Sequence, residues 1–475
     1  MSSKAVDLNL LDSYYPRDGV YHSTALKQGL KFIILFSVWT AIVFGAAAGA
    51  GVTFAWALPM FILDYLPGLL STAGISYEMG FLSQIAELLA YLAPTVTIAT
   101  VIPVNALFMV LCERKFLALL TVRMGPTDVG PNGFLQTLAD ALKLLFKEDT
   151  TPAKADGLLF TLAPALFFAP AMVVFMPLLS VASNNVGIFV ETNFDIGLIF
   201  IIGLASLGTM SLVMAGWASN NKYSLIGGLR AAAQAISYEI PMVLTLIAIV
   251  LMTGSLNLVE VSDKQAGGLL QWNVFGHGQI PNLSNLLAFN YGDVGSGLIS
   301  LVFVTLCLAL FIIFIVASTA EVNRIPFDIP EAESELVSGY NTECSGMKFA
   351  LFFLAEYTNL FIASGVAVVL FLGGSHLPIS IAAETQLYNT LADITITLPV
   401  VGSLDGVLQG LNFVWVLTSL VFITKIYLMF LLAIWIRATL PRLRQDQLMV
   451  FGWKYLIPLS LGLIFIMALL LEVLN

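Results

Sequence analysis

The stretch TAEVNRIPFDIPEAESELVSGYNTECSGMKFALFFLAEY, residues 319–357, lies between two apolar segments. The uncharged segment 297–318 precedes it and is long enough to cross a bilayer as a helix. The second apolar segment, 349–372, overlaps its end and contains Glu356. Pro326 and Pro330 prevent a continuous helix between the two segments. We therefore predict a bent, ordered loop at the membrane surface, between two membrane-spanning helices.

This loop is strongly acidic, and within the stretch only Arg324 and Lys348 oppose its charge. Acids at this density repel one another unless partners, protons or a ligand neutralise them. The carboxylates are interleaved with apolar residues such as Phe327 and Leu336, which favours a docking surface over a solvated loop. We expect partner subunits to order the loop. The seven carboxylates of the stretch are Glu321, Asp328, Glu331, Glu333, Glu335, Glu343 and Glu356.

Composition defines the class of protein. Of the 475 residues, 59% are hydrophobic and only 11% are charged, whereas a soluble domain carries about 25% charged residues. We predict an all-α, polytopic membrane helix bundle, with no role in nucleic-acid binding. The three cysteines form no CxxC pair, and the three histidines lie outside the apolar runs. The sequence therefore supports no disulfide framework, iron–sulfur cluster, haem or other metal site.

Nine apolar segments predict nine spans. We divide the chain into an N-terminal extension, residues 1–84, with one extra transmembrane helix, and an eight-helix membrane domain, residues 85–475. The predicted spans are 32–63, 88–112, 157–182, 196–218, 240–259, 297–318, 349–372, 411–436 and 451–471.

Two further segments lie between spans. Apolar residues recur at helical spacing from Phe134 to Phe146, with Asp140, Lys143 and Lys147 off that face. This pattern predicts a short amphipathic helix that lies in the interface rather than crossing it. The segment 216–241 is polar and predicts a second surface loop, in which Gly227-Gly228 permits close approach of another backbone.

Charges inside apolar segments are informative because each costs roughly 2.5–3.5 kcal/mol or more at the bilayer centre. Glu356 and Lys425 lie within predicted spans, and Glu113 and Glu239 lie at their edges. One interpretation is structural: Glu113 and Glu239 lie at the membrane–water interface, and Glu356 forms an ion pair with Lys425. The combined pattern favours the other interpretation, a polar route through the inner half of the apolar layer.

The basic residues define a topology. With residues 1–31 inside, the inner segments are 113–156, 219–239, 319–348 and 437–454. Together with residues 1–31 they hold 18 of the 20 Lys and Arg residues, the exceptions being Lys264 and Lys425. The positive-inside rule is thus satisfied, and it predicts that every polar, charge-rich loop lies on the inner face.

Four motifs resemble one family. They are ERKFLALL…RMGP (113–126), GWASNNKYSL…SYE (216–239), NRIPFDIPEAESELVSGYNTE (323–343) and IRATLPRLRQDQ (436–447). In order and character they resemble the quinone-module membrane subunit of proton-pumping NADH:quinone oxidoreductase, respiratory complex I. The resemblance covers residue 88 to the C-terminus. Val322 and Cys344 depart from it, since the family often has Thr and Tyr there. The first span and the loops 260–296 and 373–410 look like additions to the family's compact core.

The resemblance implies a translocase subunit with no redox centre and no catalytic residue of its own. NADH, FMN and iron–sulfur clusters would be bound by partner subunits. A long-tailed quinone such as ubiquinone would enter from the bilayer through a tunnel and be reduced at the junction with them. Implied tunnel residues are Glu113, Arg114, Arg123, Lys222, Arg230, Arg324, Phe327 and Asp328. Residues implied in coupling to the proton pumps are Glu239, Glu321, Glu331, Glu333, Glu335, Glu343 and Glu356.

The implied partners are the peripheral quinone-module and iron–sulfur subunits, small membrane-arm subunits, quinone and the lipid bilayer. The polar N-terminal extension and the extra span favour a bacterial inner (plasma) membrane over a mitochondrial inner membrane. Two other classes stay open at this point. One is the homologous membrane subunit of a membrane-bound hydrogenase or formate hydrogenlyase. The other is a secondary transporter, which usually shows repeats with broken helices; we find no such repeats in the sequence.

The topology is testable by single-cysteine labelling of intact cells on a cysteine-free background. We expect an impermeant reagent to modify Lys264→Cys and to spare Glu335→Cys, since the first lies in an outer loop and the second in an inner one. Position 335 is tested without the peripheral arm, which would otherwise hide it. Modification of position 335 from outside would contradict the topology.

Overall fold

The computed structural model describes residues 101–130, 133–182, 194–276, 294–330, 333–380, 383–387 and 413–474. Every regular element within these ranges is helical, which confirms the all-α prediction. We number the helices in chain order. They are α1 (101–120), α2 (Gln136–Phe146), α3 (Gly157–Ala182), α4 (Gly197–Ala218), α5 (Lys222–Thr253), α6 (Leu258–Asp263), α7 (Val294–Glu321), α8 (Glu333–Leu336), α9 (Gly346–Phe371), α10 (Phe413–Thr439), α11 (Gln445–Val450) and α12 (Ile457–Leu474).

Seven helical segments in the described ranges are long and apolar enough to cross a membrane. They correspond to the last seven predicted spans. In the seventh, a π-helical turn at Phe451–Leu456 joins α11 to α12. The second predicted span is described from residue 101, where it is helical. The first predicted span and the extension that contains it lie outside the described residues.

Helix α9 is the centre of the bundle. It buries 18 of its 26 residues and contacts α2, α3, α6, α7 and α10. A helix that is apolar around most of its circumference must face lipid or other helices, and α9 faces other helices over most of its surface. Its C-terminal half, from Leu360 to Phe371, supplies much of the apolar core.

The prediction of a second surface loop over residues 216–241 is wrong for most of that segment, which is helical from Lys222 onward. Asn221 caps the N-terminus of α5 by accepting from the Tyr223 N–H, and the helix continues through Pro241 to Thr253. Gly254, at φ 68°, ends it in the left-handed conformation. The helix has 32 residues and is about 48 Å long, compared with about 30 Å for the hydrocarbon layer. Its polar first turns therefore extend beyond that layer.

The four segments predicted to be inner meet at one end of the bundle, which we call the inner end. The Leu443 N–H donates to the Pro326 carbonyl, and Ser224 Oγ donates to the Tyr340 carbonyl. Lys348 pairs with Asp149 at 3.1 Å. The interfacial helix α2 lies at this end and buries only Thr137. Four of its apolar side chains are exposed on the surface of the protein, as expected for a helix lying against lipid: Leu138, Leu142, Leu145 and Phe146.

The ion pair between Glu356 and Lys425 is not formed. The Lys425 ammonium instead donates to the carbonyls of Leu372, Gly374 and His376, at 2.8, 3.0 and 2.7 Å. These carbonyls follow the C-terminus of α9, where the helix dipole favours a cation. Glu356 precedes Leu372 by 16 residues, about 24 Å along a helix, so the two charges lie at different depths.

His376 lies beside Lys425 at the end of the bundle opposite the inner end, which we call the outer end. Its Nε2 lies 3.2 Å from Asp263 Oδ1, and its Nδ1 lies 3.3 Å from Glu384 Oε1. Burial lowers the pKa of His376, but the hydrogen bonds with these carboxylates outweigh it and raise the pKa from 6.5 to about 9. The protonated ring thus stabilises the fold fully below pH 6.5, and this contribution is lost as the pH rises through about 9.

We predict that the thermal unfolding midpoint of the solubilised protein decreases as the pH rises through about 9. In His376→Asn this component of the decrease should be absent, because the variant has no proton to lose there. Scanning calorimetry at a series of pH values compares the two proteins. An identical pH dependence in both would contradict the role of His376.

Candidate functional site

The larger of two cavities near the inner end lies between α1, α2 and α9. It is half-open and has a volume of about 800 Å³, within the range typical of small-molecule sites. Most of its lining is apolar, including Leu107, Ala141 and Ala350. Charged side chains lie at one part of the wall, where Arg114 pairs with Asp140 at 2.6 Å. An apolar chamber with a few charges suits a long amphiphilic ligand.

The second cavity lies on the other side of α9, between α3, α4, α5 and α7. Its volume is about 90 Å³, enough for several water molecules. Glu321 and Glu356 line it together with Asn323 and Asn359. Glu356 is buried, and its Oε1 accepts a 2.6 Å hydrogen bond from the Tyr340 hydroxyl. Glu239 lies close enough to Glu321 for the two charges to act on each other.

Helix α9 separates the two cavities. Glu356 lines the smaller cavity and the next residue, Tyr357, lines the larger one. Successive residues of an α-helix point about 100° apart, so neighbouring side chains reach different faces. The two cavities are therefore in contact with adjacent residues of α9, so that a shift of Glu356 on one side can move Tyr357 on the other side.

Beside this wall lies a cluster of three charged side chains, of which Glu113 is buried and Arg324 and Arg437 are partly exposed. Glu113 is 4% exposed, and its Oε1 accepts a hydrogen bond from Arg437. Its Oε2 lies 3.5 Å from Arg324. The Arg324 guanidinium carbon is 4.1 Å from the centre of the Tyr357 ring. The cluster thus extends from the end of α10 to the wall of the larger cavity.

The acidic loop also forms pairs with distant segments of its own chain, in addition to the partner subunits that we expect to be its main source of order. Asp328 pairs with Arg442 at 2.9 Å, and Glu335 pairs with Arg230 at 2.9 Å. Glu343 accepts a 2.7 Å hydrogen bond from Asn221. These partners lie far away in the sequence, which is why the stretch alone looked unbalanced.

The predicted site residues are distributed over several places. Among the predicted tunnel residues, Arg114 lines the larger cavity, while Glu113 and Arg324 lie in the charged cluster. Phe327 is buried against Tyr238, with the ring centres 5.6 Å apart. Lys222 begins α5 and is exposed.

Three predicted residues lie in other parts of the chain. Arg123 is exposed in the turn after α1. Glu333 begins α8, and Glu331 lies outside the described residues. Burial raises the pKa of the Cys344 thiol to about 12, so Cys344 adds no charge to the loop at neutral pH.

Sequence reasoning missed four residues of this region: Asp140, Tyr340, Tyr357 and Arg437. Arg437 appeared only as part of a basic segment, and its partner Glu113 is 324 positions away. Tyr357 directly follows Glu356, and an aromatic residue next to a carboxylate within a predicted span was the sequence feature that could have identified it. Asp140 was assigned only to the polar side of α2.

A family model described as NADH dehydrogenase matches residues 93–468. The match covers most of the chain, and the chain therefore belongs to the NADH dehydrogenase family. This confirms the resemblance to the quinone-module membrane subunit of respiratory complex I. The protein is a membrane component of an NADH dehydrogenase complex.

Gly227 offers a test of how the smaller cavity is built. A Cβ at this position would lie 2.7 Å from Gly339 Cα and 2.7 Å from the Tyr340 nitrogen. We predict that Gly227→Ala displaces Tyr340 from Glu356 and destabilises the protein by about 1–3 kcal/mol. The matched control is Gly203→Ala in α4, where no atom lies within 4 Å. Equal thermal midpoints for the two variants would contradict this packing.

Proposed function

We propose that this subunit forms the quinone-access cavity of a proton-pumping NADH:quinone oxidoreductase and couples quinone reduction to proton translocation. The observation that carries the proposal is the pair of cavities on opposite sides of α9. One is large and mainly apolar, and the other contains two carboxylates. Membership of the NADH dehydrogenase family supplies the reaction in which such a pair is useful.

The larger cavity fits the requirements of a long-tailed quinone. Its apolar lining from α1, α2 and α9 suits an isoprenoid tail, and α2 places its own apolar face toward lipid. Arg114 and Asp140 provide polar contacts for the headgroup. The chain would bind and orient quinone there, and reduction would occur at the junction with the peripheral subunits. NADH, FMN and iron–sulfur clusters would be held by those partners.

Coupling requires groups that respond to charge. Reduction of a quinone to a quinol takes up two electrons and two protons, so proton demand arises where the headgroup binds. Glu321 and Glu356 line the same small cavity, and acids that lie close together exchange protons as a coupled group. The Tyr340 hydroxyl donates a hydrogen bond to Glu356 Oε1 and so fixes the position of this carboxyl group. These groups would carry a protonation change from the quinone side toward the pumps.

The quinone cavity can be tested by filling it. Ala141 lines the larger cavity, whereas Ala139, on the same helix and also half-buried, is not part of its lining. We predict that Ala141→Phe raises the KM for a long-tailed quinone about tenfold, because the ring occupies ligand space. Ala139→Phe should change it less than twofold.

Ferricyanide, a hydrophilic acceptor that takes electrons in the peripheral arm, reports assembly in both variants. Equal KM values for the two variants would contradict the cavity assignment. Co-purification of NADH-oxidising partners rather than a nickel–iron subunit distinguishes this function from that of a hydrogenase.

The coupling role can be tested at Glu356. Glu356→Gln keeps the shape of the side chain and removes its titration, so protons transported per NADH or the rate of quinone reduction should fall at least severalfold. Glu260→Gln removes an exposed carboxylate at the outer end and should have no effect. Reconstituted vesicles with a pH-sensitive dye give the measurement. Unchanged turnover and unchanged transport in Glu356→Gln would contradict the coupling role.

A further inference from the structure

We propose that Tyr357 contacts the quinone in the larger cavity, and that Arg324 is a positioning residue which fixes the Tyr357 ring. Glu113 and Arg437 act behind Arg324 and hold its guanidinium in place. This inference rests on the proposed function. It adds Tyr357 and Arg437 to the residues that determine quinone affinity.

The first step is the position of Tyr357. It lies on α9, lines the larger cavity and is 4% exposed, so its conformation is decided by its neighbours. Its ring centre is 4.9 Å from that of Phe353, which lines the same cavity. Together the two rings form an aromatic part of the wall. A quinone headgroup is a flat ring, and aromatic side chains bind such rings by stacking or edge contacts.

The second step is the contact with Arg324. The guanidinium carbon lies 4.1 Å from the Tyr357 ring centre, well within the range of a cation–π interaction. Such contacts are stronger when both groups are withdrawn from water, and the Arg324 side chain is only 11% exposed. The planar guanidinium can lie flat on the ring, whereas a lysine ammonium cannot.

The third step is the support behind Arg324. A buried arginine needs a counter-charge, and Glu113 provides one at 3.5 Å. Glu113 is also bound by Arg437, on its other oxygen. One carboxylate therefore lies between two guanidinium groups and contacts both of them. Arg437 fixes Glu113, which in turn limits where Arg324 can move.

The consequence is a chain of contacts in which each group orients the next: Arg437, Glu113, Arg324 and Tyr357. Only the last of these touches the cavity. Loss of an earlier member should loosen the Tyr357 ring without removing it. Quinone affinity should then fall, while the chemical step, which depends on electrons from the peripheral subunits, should be little changed.

The experiment uses the assembled complex and measures KM and kcat for quinone separately. The variants are Arg324→Lys, Arg437→Lys, Tyr357→Phe, Tyr357→Leu and the double variant Arg324→Lys with Tyr357→Leu. Arg444→Lys is the matched control, since Arg444 lies in the segment after α10 and forms an exposed pair with Asp446. NADH oxidation with ferricyanide reports assembly in each case.

We expect Arg324→Lys, Arg437→Lys and Tyr357→Leu each to raise the KM for quinone about fivefold to tenfold, with kcat within about twofold. Tyr357→Phe should keep a near-normal KM, because it retains the ring. The double variant should be no worse than Tyr357→Leu alone, because the arginine acts through the ring. Arg444→Lys should resemble the unmodified complex.

A normal KM in Arg324→Lys, or an additive effect in the double variant, would overturn the inference while leaving the proposed function intact. If Arg324→Lys fails to assemble, the comparison of Tyr357→Phe with Tyr357→Leu decides, and equal KM values overturn the inference. Absence of quinone-dependent NADH oxidation in the unmodified complex would instead overturn the proposed function, together with the inference that rests on it.

Discussion

The enclosure of α9 by other helices is the constraint on which the inner end of the protein depends. Because the helix is surrounded, each of its side chains must fit the neighbour that it meets. Glu356 meets a small cavity that contains a second carboxylate, and Tyr357 meets a large apolar one. The two cavities can therefore be close together without merging.

The charged side chains Glu113, Glu356 and Lys425 are each stabilised by groups that lie next to them in the structure. Glu113 is bound by two arginines, and Glu356 is bound by the Tyr340 hydroxyl. Lys425 is held by carbonyls after the C-terminus of α9. Each arrangement reduces the cost of burial with groups within hydrogen-bonding or ion-pair reach. In the proposed function, Glu321 and Glu356 of the smaller cavity are the groups that respond to a change in charge nearby.

Much of the fold can be predicted from the sequence, because an apolar segment long enough to cross a bilayer must satisfy its backbone hydrogen bonds internally, and a helix does so. The interfacial position of α2 was likewise readable from its spacing and charges. The start of α5 could not be predicted in this way. Lys222, Tyr223 and Arg230 are polar residues typical of a loop, and a spanning helix was expected to stay within the hydrocarbon layer. The partners of Asp328, Glu335 and Glu113 were hidden as well, because they come from segments more than a hundred positions away.

The central claim, that a quinone occupies the cavity between α1, α2 and α9, is tested most directly by crosslinking. The assembled complex would be illuminated with a photoreactive long-tailed quinone, and the modified peptides would be identified by mass spectrometry. We expect modification within 103–114, 136–145 and 347–357, reduced by excess unlabelled quinone. Modification confined to other helices, or modification that excess quinone does not reduce, would contradict it.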